Sequence, residues 1–374
     1  MFLALAEVRR AKARFLLLSG AVGLLVFLIL AQYTLQDALI RGFVGGVRNQ
    51  TAPILVFDVD GRRTPQASTI PDALADTVAS VDGVAATAPV WAGTFPVDAD
   101  GTVAATSVVG YADAELGGVV DLTGGRLPER AGEVVANAAD GDRGLGLGAV
   151  VSGAPDGPEL TVVGVAEDIG VNVAPTLFTT DETFLSVLRA RNPDVAELPP
   201  PNVLGVRPAA GVDAGELAAR IADADPALDA LPAGDAAEGN PGVESIRQSF
   251  DVIFLLFALV VPLVVGLFFL ILTLQKADAL TLLRAVGSRA GPLVSALLVQ
   301  VALVLAVGVG LAVAVYVPFS AQRVGDLALR FEGRAVLVWT AIVCGLGLLS
   351  ALASIRRVLA IDPVAATTGA GVRA

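Results

Sequence analysis

The sequence contains no histidine, which removes the commonest general base and metal ligand. It has one cysteine, Cys344, inside an apolar segment. No intramolecular disulfide can form, and the redox compartment is neither fixed nor excluded. Only Lys12 and Lys276 supply lysine, and each precedes an alanine. Neither can close a Gly-x-x-x-x-Gly-Lys-Ser/Thr loop, whose backbone amides and lysine hold nucleotide phosphates. ATP hydrolysis by that route is excluded. Gly144, Gly146 and Gly148 form a Gly-x-Gly-x-Gly run, but a strand-like segment follows, so it reads as a turn. Without histidine there is no Ser/His or Cys/His nucleophile pair. Asp58/Asp60 and Asp98/Asp100 read as solvated turn acids, and no loop offers calcium ligands in order. The chain has no catalytic constellation and reads as a non-catalytic protein. Charge is scarce too: 17% of residues, against about a quarter in soluble domains.

What fills the chain is apolar, 55% of its 374 residues, and it comes in blocks. A bilayer core takes about 20 apolar residues per helix. Transmembrane helices are expected over 15–38, 250–274, 293–317 and 335–355. Arg9, Arg10, Lys12 and Arg14 precede the first; Lys276, Arg284 and Arg289 lie between the second and third; Arg356 and Arg357 follow the fourth. Basic residues at span ends mark the cytoplasmic side. Both termini and the loop 275–292 are therefore expected inside, and the segment 39–249 and the loop 318–334 outside. Arg323, Arg330 and Arg334 in that outer loop run against the rule, partly offset by Asp326 and Glu332. The first apolar segment exceeds the about 7–15 residues of a signal peptide and lacks a cleavage site, so it reads as a retained span. Before it, residues 1–14 read as an amphipathic cytoplasmic helix on the membrane surface, with Phe2, Leu3, Leu5, Ala6 and Val8 facing Arg9, Arg10 and Lys12. The last segment, 356–374, is a cytoplasmic tail.

Charge is uneven. Between Gly45 and Ser245 there are 30 acidic and 10 basic residues, while the whole chain is −12. Such an acidic domain repels nucleic acid and anionic headgroups and could attract cations or basic partners; plain solubility is the simpler reading. No nucleic-acid partner is expected. Its pattern is α/β. Ile54–Phe57 ends at Asp60-Gly61, a strand-then-turn signal, and Val84–Val97, Thr102–Tyr111, Glu133–Val135, Leu160–Val165 and Asn202–Val206 read as strands. Helices are expected after Pro71, from Thr180 or Asp181 through Leu188, and over Glu216–Ile221. Gly124-Gly125-Arg126-Leu127-Pro128 reads as a turn. Asp223 to Gly242, rich in Ala, Gly, Pro and Asp, reads as a flexible return to the membrane.

Four stretches carry a family likeness. The cytoplasmic loop reads Gln275-Lys276-Ala277-Asp278-Ala279-Leu280-Thr281-Leu282-Leu283-Arg284-Ala285-Val286-Gly287-Ser288. The outer domain contains Gly125-Arg126-Leu127-Pro128-Glu129-Arg130-Ala131-Gly132-Glu133-Val134-Val135. The tail reads Ile361-Asp362-Pro363-Val364-Ala365-Ala366, and the chain opens MFLALAEVRRAKARF. With one span before the outer domain and three after it, the chain resembles the FtsX/MacB-type permease family of ABC transporters over essentially its whole length. The opening and the Gln275 loop look most like the DevC/HrtB branch, which includes haem exporters. The resemblance implies a four-helix membrane protein with a MacB-like α/β extracytoplasmic domain, in a bacterial cytoplasmic membrane. It implies a permease without an ATPase, exporting a hydrophobic or amphipathic compound, haem among the candidates. No cofactor would belong to this chain; ATP and Mg would sit in a separate ATP-binding subunit. The outer domain would move as ATP binding closes the cytoplasmic ends.

In that family the loop between the second and third spans carries a coupling helix, here Leu280, Leu283, Arg284, Val286 and Gly287. Leu280, Leu283 and Val286 recur at three-residue spacing, so one apolar face can dock in a partner groove, and Gly287 is placed to end the helix. The same face could instead rest on lipid. Four helices are too few to enclose a sizeable pathway, so a second copy is expected. Gln32, Tyr33, Gln36 and Asp37 at the outer end of the first span, with Gln248 and Asp251 at the start of the second, are candidate substrate contacts. They could equally be residues of the wet headgroup zone. If haem is the substrate, Tyr33 or a carboxylate would have to be its ligand. Two rival functions share the fold: an FtsX-like signalling protein controlling an extracytoplasmic cell-wall hydrolase, and a membrane-anchored receptor without an ATPase.

Overall fold

The computed structural model describes residues 12–274 and 290–359. The coupling residues Leu280, Leu283, Arg284, Val286 and Gly287 lie outside the described residues, as do 1–11 of the expected amphipathic helix and 360–374 of the tail. The described residues hold nine α-helices: α1 (Lys12–Arg48), α2 (Asp72–Ser80), α3 (Ala114–Gly117), α4 (Asp181–Arg191), α5 (Ala214–Ala224), α6 (Ala233–Glu238), α7 (Pro241–Leu274), α8 (Ala290–Ser320) and α9 (Gly333–Leu359). The strands are β1 (Ile54–Asp58), β2 (Val84–Ala99), β3 (Thr102–Tyr111), β4 (Leu122–Gly125), β5 (Glu133–Asn137), β6 (Val150–Gly153), β7 (Glu159–Ala166), β8 (Thr176–Thr180), β9 (Val203–Pro208), β10 (Leu228–Pro232), β11 (Arg323–Val324) and β12 (Leu327–Ala328). The chain divides into two units. One comprises residues up to Gln36, 249–322 and 329 onward; the other comprises 37–248 and 323–328.

The first unit is built from helices long and apolar enough to cross a membrane, one each from α1, α7, α8 and α9. Their shared core includes Val22, Val26 and Leu30 of α1, Val261 and Val265 of α7, Val301, Val304 and Tyr316 of α8, and Val343 of α9. Lipid supplies no hydrophobic drive between helices, so close backbone approach and polar pins matter more. Gly23 and Gly308 provide the approach: a Cβ on Gly23 would lie 2.8 Å from the Gly308 carbonyl oxygen. The pin is a buried hydrogen bond of 2.7 Å between the hydroxyls of Thr34 and Tyr316. Outward, Leu255, Leu259, Leu263 and Leu267 of α7 are all more than half exposed. That many outward leucines suits a hydrocarbon surround and would be a liability in water. Asn240 starts α7 by accepting the Gly242 N–H at 2.8 Å, with Pro241 in the first turn, where a missing N–H costs nothing. The helix continues through Pro262, whose carbonyl accepts the Ser350 hydroxyl at 2.7 Å.

The second unit is a ten-stranded mixed sheet in the order β10-β1-β9-β2-β3-β8-β5-β7-β4, with β6 joined to β2 and β7. The parallel pairs are β3/β8 and β5/β7. Asp100 and Gly101 turn β2 into β3, both at positive φ (52° and 80°), with Ala99 opposite Thr102. An Asp-Gly pair is the residue choice a two-residue hairpin demands. Asp98, read as a turn acid, is instead part of β2. Helices α2 and α5 cover the end of the sheet where Ile54, Val56, Leu204 and Val206 are buried with Val78, Leu217 and Ile221. Phe184 and Val187 of α4 pack with Trp91 and Phe95. Val44 and Val47 of α1 and Val243 of α7 belong to a third buried cluster, with Phe57, Val119 and Ile169.

Two expectations are corrected. Gly124 and Gly125 end strand β4 and pair with β7 before the turn begins. The stretch 223–242 is not a loose return: it holds β10, paired with β1, then α6. Leu228 and Ala230 anchor the strand in the core, and Ala236 and Ala237 are fully buried. Small residues there reflect tight packing rather than mobility.

The Gly125–Glu133 motif has a physical role. Arg126 grips Glu133 with two nitrogens, at 2.7 and 2.5 Å, and Glu133 also accepts the amides of Glu129 and Arg130 at 2.9 and 3.1 Å. The Arg126 hydrogen bond, then the Glu129 amide, hold its carboxyl down at about 2. A depressed carboxylate stabilises above its unfolded value and loses that contribution as pH falls through the folded one. The Glu129 and Arg130 amides are therefore expected to stay protected from hydrogen exchange at pH 4 and to lose protection towards pH 2. Glu133→Ala, which removes the acceptor, should abolish that protection at every pH; equal protection in the variant would refute this role.

Candidate functional site

Gln32, Tyr33 and Gln36 are part-exposed on α1, and Asp251 is exposed on α7. Tyr33 meets Trp339 edge-on at 6.4 Å, and Trp339 stacks on Phe254 at 4.8 Å. An aromatic cluster thus joins α1, α9 and α7. Gln248 donates to Glu244 one turn back at 3.0 Å. Asp37 is engaged by Arg41, whose Nε lies 2.8 Å away. Of the six candidates, Tyr33 is the one placed in a multi-helix cluster. Sequence reading missed Thr34 and Tyr316, although a Thr and a Tyr inside apolar runs were the visible signal. The Tyr316 hydroxyl also accepts the Glu332 amide at 3.4 Å, so one phenol ties α1, α8 and the approach to α9.

The second unit holds a dense charged network. Hairpin β11–β12 comes from the loop between α8 and α9, and it meets the turn 138–143. Arg323 forks onto Asp142, with Nε–Oδ2 3.0 Å and Nη2–Oδ1 2.9 Å, and its Nη1 lies 3.5 Å from Asp140 Oδ1. In return Arg143 binds the Asp326 carboxylate and the Gly325 carbonyl. Each side gives an arginine to the other's aspartate, and Arg323–Asp142 has the planar two-point geometry that makes Arg–carboxylate pairs strong. The Asp140 side chain keeps only 5% of its surface. Burial pushes its carboxyl up while Arg323 and Arg143 pull against that. The Arg323 hydrogen bond holds Asp142 below the usual carboxylate range.

Alongside, Arg41 bridges Asp37 and Asp168, at 2.8 and 3.2 Å. A cavity of about 50 Å³ is lined by Arg41, Asp140, Asp168 and Asp326. Arg41 Nη2 and Asp140 Oδ2 are buried with no protein partner, and the cavity is polar and roomy enough for water to bridge them. Two of the three arginines that run against the charge rule in the loop between α8 and α9 are in ion pairs. Arg323 is bound to Asp142 and Asp140, and Arg330 pairs with Glu332 at 3.0 Å. Among the described residues no group of three His, Cys, Asp or Glu could hold a metal ion.

The fold defines a chain with four apolar helices of spanning length and a mixed α/β unit between the first and second. No family model matches it. It is 32% identical over 110 residues to a putative hemin transport system permease protein, HrtB, of Staphylococcus haemolyticus (strain JCSC1435). That stretch is 29% of this chain and 31% of the relative, so the chain spans about a third of the curated relative it matches. Two solved structures are similar. One is the periplasmic region of MacB from Actinobacillus actinomycetemcomitans, at TM-score 0.36 and 13% identity, covering 54% of this chain and 94% of that one. The other is the extracellular domain of the noncanonic ABC-type transporter YknZ from Gram-positive bacteria, at 0.32 and 12%, covering 48% and 98%. Scores that low do not bear on function.

Proposed function

We propose that the chain is the permease subunit of an ABC transporter of the FtsX/MacB type. It exports a hydrophobic or amphipathic compound from a bacterial cytoplasmic membrane, working as a homodimer with two separate ATP-binding subunits. Its termini and the loop 275–292 face the cytoplasm, where that loop receives the ATPase. The observation that carries the reading is the 32% identity over 110 residues to a putative hemin transport system permease protein. The order of the four apolar helices around the α/β unit and the missing phosphate loop support it. Helices α1 and α7 each continue without a break from one unit into the other. A continuous helix is a suitable element for passing a displacement along the chain. Haem is the compound the relative's description points to, and the first to assay.

The isolated chain, in detergent or lipid, is expected to show no saturable ATP turnover. Co-expression with its ATP-binding subunit should yield a stable complex that hydrolyses ATP. Turnover by the isolated chain, or failure of any ABC ATPase to co-purify, would overturn the reading. A complex that hydrolyses ATP but moves no compound would instead support the signalling alternative.

A further inference from the structure

The second unit carries a groove of about 470 Å³ beside the β2–β3 turn. Val97, Ala104, Leu145 and Pro175 give it an apolar part, Asp100 stands at its edge, and Asp142 and Arg143, the latter bound to Asp326 of the β11–β12 hairpin, form another wall with Asp326. Its size falls within the range of small-molecule sites, about 300–1,000 Å³. The acids around it are not equivalent. Asp142 is held by the Arg323 fork and Asp326 by Arg143. Asp100 has no hydrogen bond or ion pair among the described residues. It is nonetheless well placed: the two-residue turn fixes its backbone, and its Oδ2 lies 2.9 Å from where a Cβ on Gly144 would sit.

We propose that this groove binds an organic monocation with a compact apolar body. The apolar lining takes the body, and Asp100, the one uncompensated carboxylate, takes the charge. The surrounding unit, with 30 acidic and 10 basic residues between Gly45 and Ser245, raises the local concentration of cations and repels anions. Because Asp326 forms a wall, the site is complete only while the hairpin is latched to the turn 138–143. A ligand that binds the latched form must stabilise it, by linkage. Occupancy is thereby coupled to the loop between α8 and α9. The site stands apart from the permease reading, since binding is measured with neither ATP nor a partner.

The test uses the full chain in nanodiscs of zwitterionic lipid, with benzyltrimethylammonium as probe, benzoate as the anionic comparator and empty nanodiscs as the partition control. Titration calorimetry is expected to show saturable binding of the cation and none of benzoate. Asp100→Asn keeps the turn, because asparagine tolerates positive φ, and should weaken binding about tenfold. Ala104→Trp fills the groove and should abolish binding. If that variant does not fold, Thr102→Trp, at an exposed position on the same wall, replaces it. Absence of saturable binding, equal binding of benzoate, or an affinity unchanged in Asp100→Asn or in the folded tryptophan variant would overturn the proposal.

Discussion

Replacing Gly205 with alanine is expected to cost the α/β unit about 3 kcal/mol or more of stability, the upper end of overpacking penalties. Gly205 lies in β9 between Leu55 of β1 and Ala88 of β2. A Cβ there would sit 1.8 Å from the Leu116 carbonyl oxygen and 3.0 Å from Ala52 Cβ. The first clash is with backbone, so no side-chain rotation relieves it. Helix α3, which carries Leu116, has little room to retreat. Thr51 holds it through the Ala114 carbonyl at 2.8 Å and its own amide bonds the Gly118 carbonyl at 3.0 Å. Beneath it, a Cβ on Gly117 would already meet Tyr111 and Val90 at 2.7 Å. A domain holds only about 5–15 kcal/mol in all, so valine at 205 should leave no folded α/β unit. Thermal unfolding followed by tryptophan fluorescence is the measurement, since Trp91 is buried in this unit. Gly234→Ala, with nothing within 4 Å of the added carbon, should leave the melting temperature nearly unchanged. A melting curve for Gly205→Ala that overlays the parent would show that α3 yields freely.

The contrast between these two glycines shows what a sequence carries and what it does not. Both read as ordinary strand or loop residues; only the tertiary approach of α3 separates them. Local signals were legible. Long apolar runs marked α1, α7, α8 and α9, because crossing a bilayer demands length and composition alone. Strands β2, β3 and β7 were legible as well, the last buried at every second residue. Thr180 was legible as a helix cap, and its hydroxyl does accept the Thr183 amide. Strand β8 was missed because five residues, Thr176–Thr180, carry too little periodicity, and its neighbours β3 and β5 are far away in sequence. Strand β10 was missed because alanine, proline and aspartate carry a loop composition wherever packing does not override it. The Arg323–Asp142 pair spans 181 residues, beyond any local pattern. Its trace in the sequence was an anomaly, arginines on the side where few belong.

Under the proposed function, Leu283→Asp is expected to prevent assembly with an ATP-binding subunit, or to uncouple hydrolysis from transport, while membrane insertion stays intact. The argument is from spacing. In a helix over this stretch, the spacing of Leu280, Leu283 and Val286 would put them on one face, Leu283 in the middle, with Arg284 beside the face and Gly287 placed to end it. A groove that buries such a face takes leucine at its centre and leaves charges at the rim. A carboxylate buried there without a partner costs several kcal/mol. Each 1.4 kcal/mol is about tenfold in an association constant, so the complex should weaken by a few powers of ten. Were the face merely resting on lipid, the same change would loosen a peripheral helix and leave the complex whole. Thr281→Asp puts the same charge on the opposite face of that helix and should be tolerated, which separates position from charge. Co-purification of the two subunits is the first measurement, with transport assayed in parallel. A Leu283→Asp chain that assembles and transports at the parent rate would place the docking surface elsewhere. Loss of assembly in Leu283→Asp alone, with Thr281→Asp unaffected, would support both the proposed partner and this docking face.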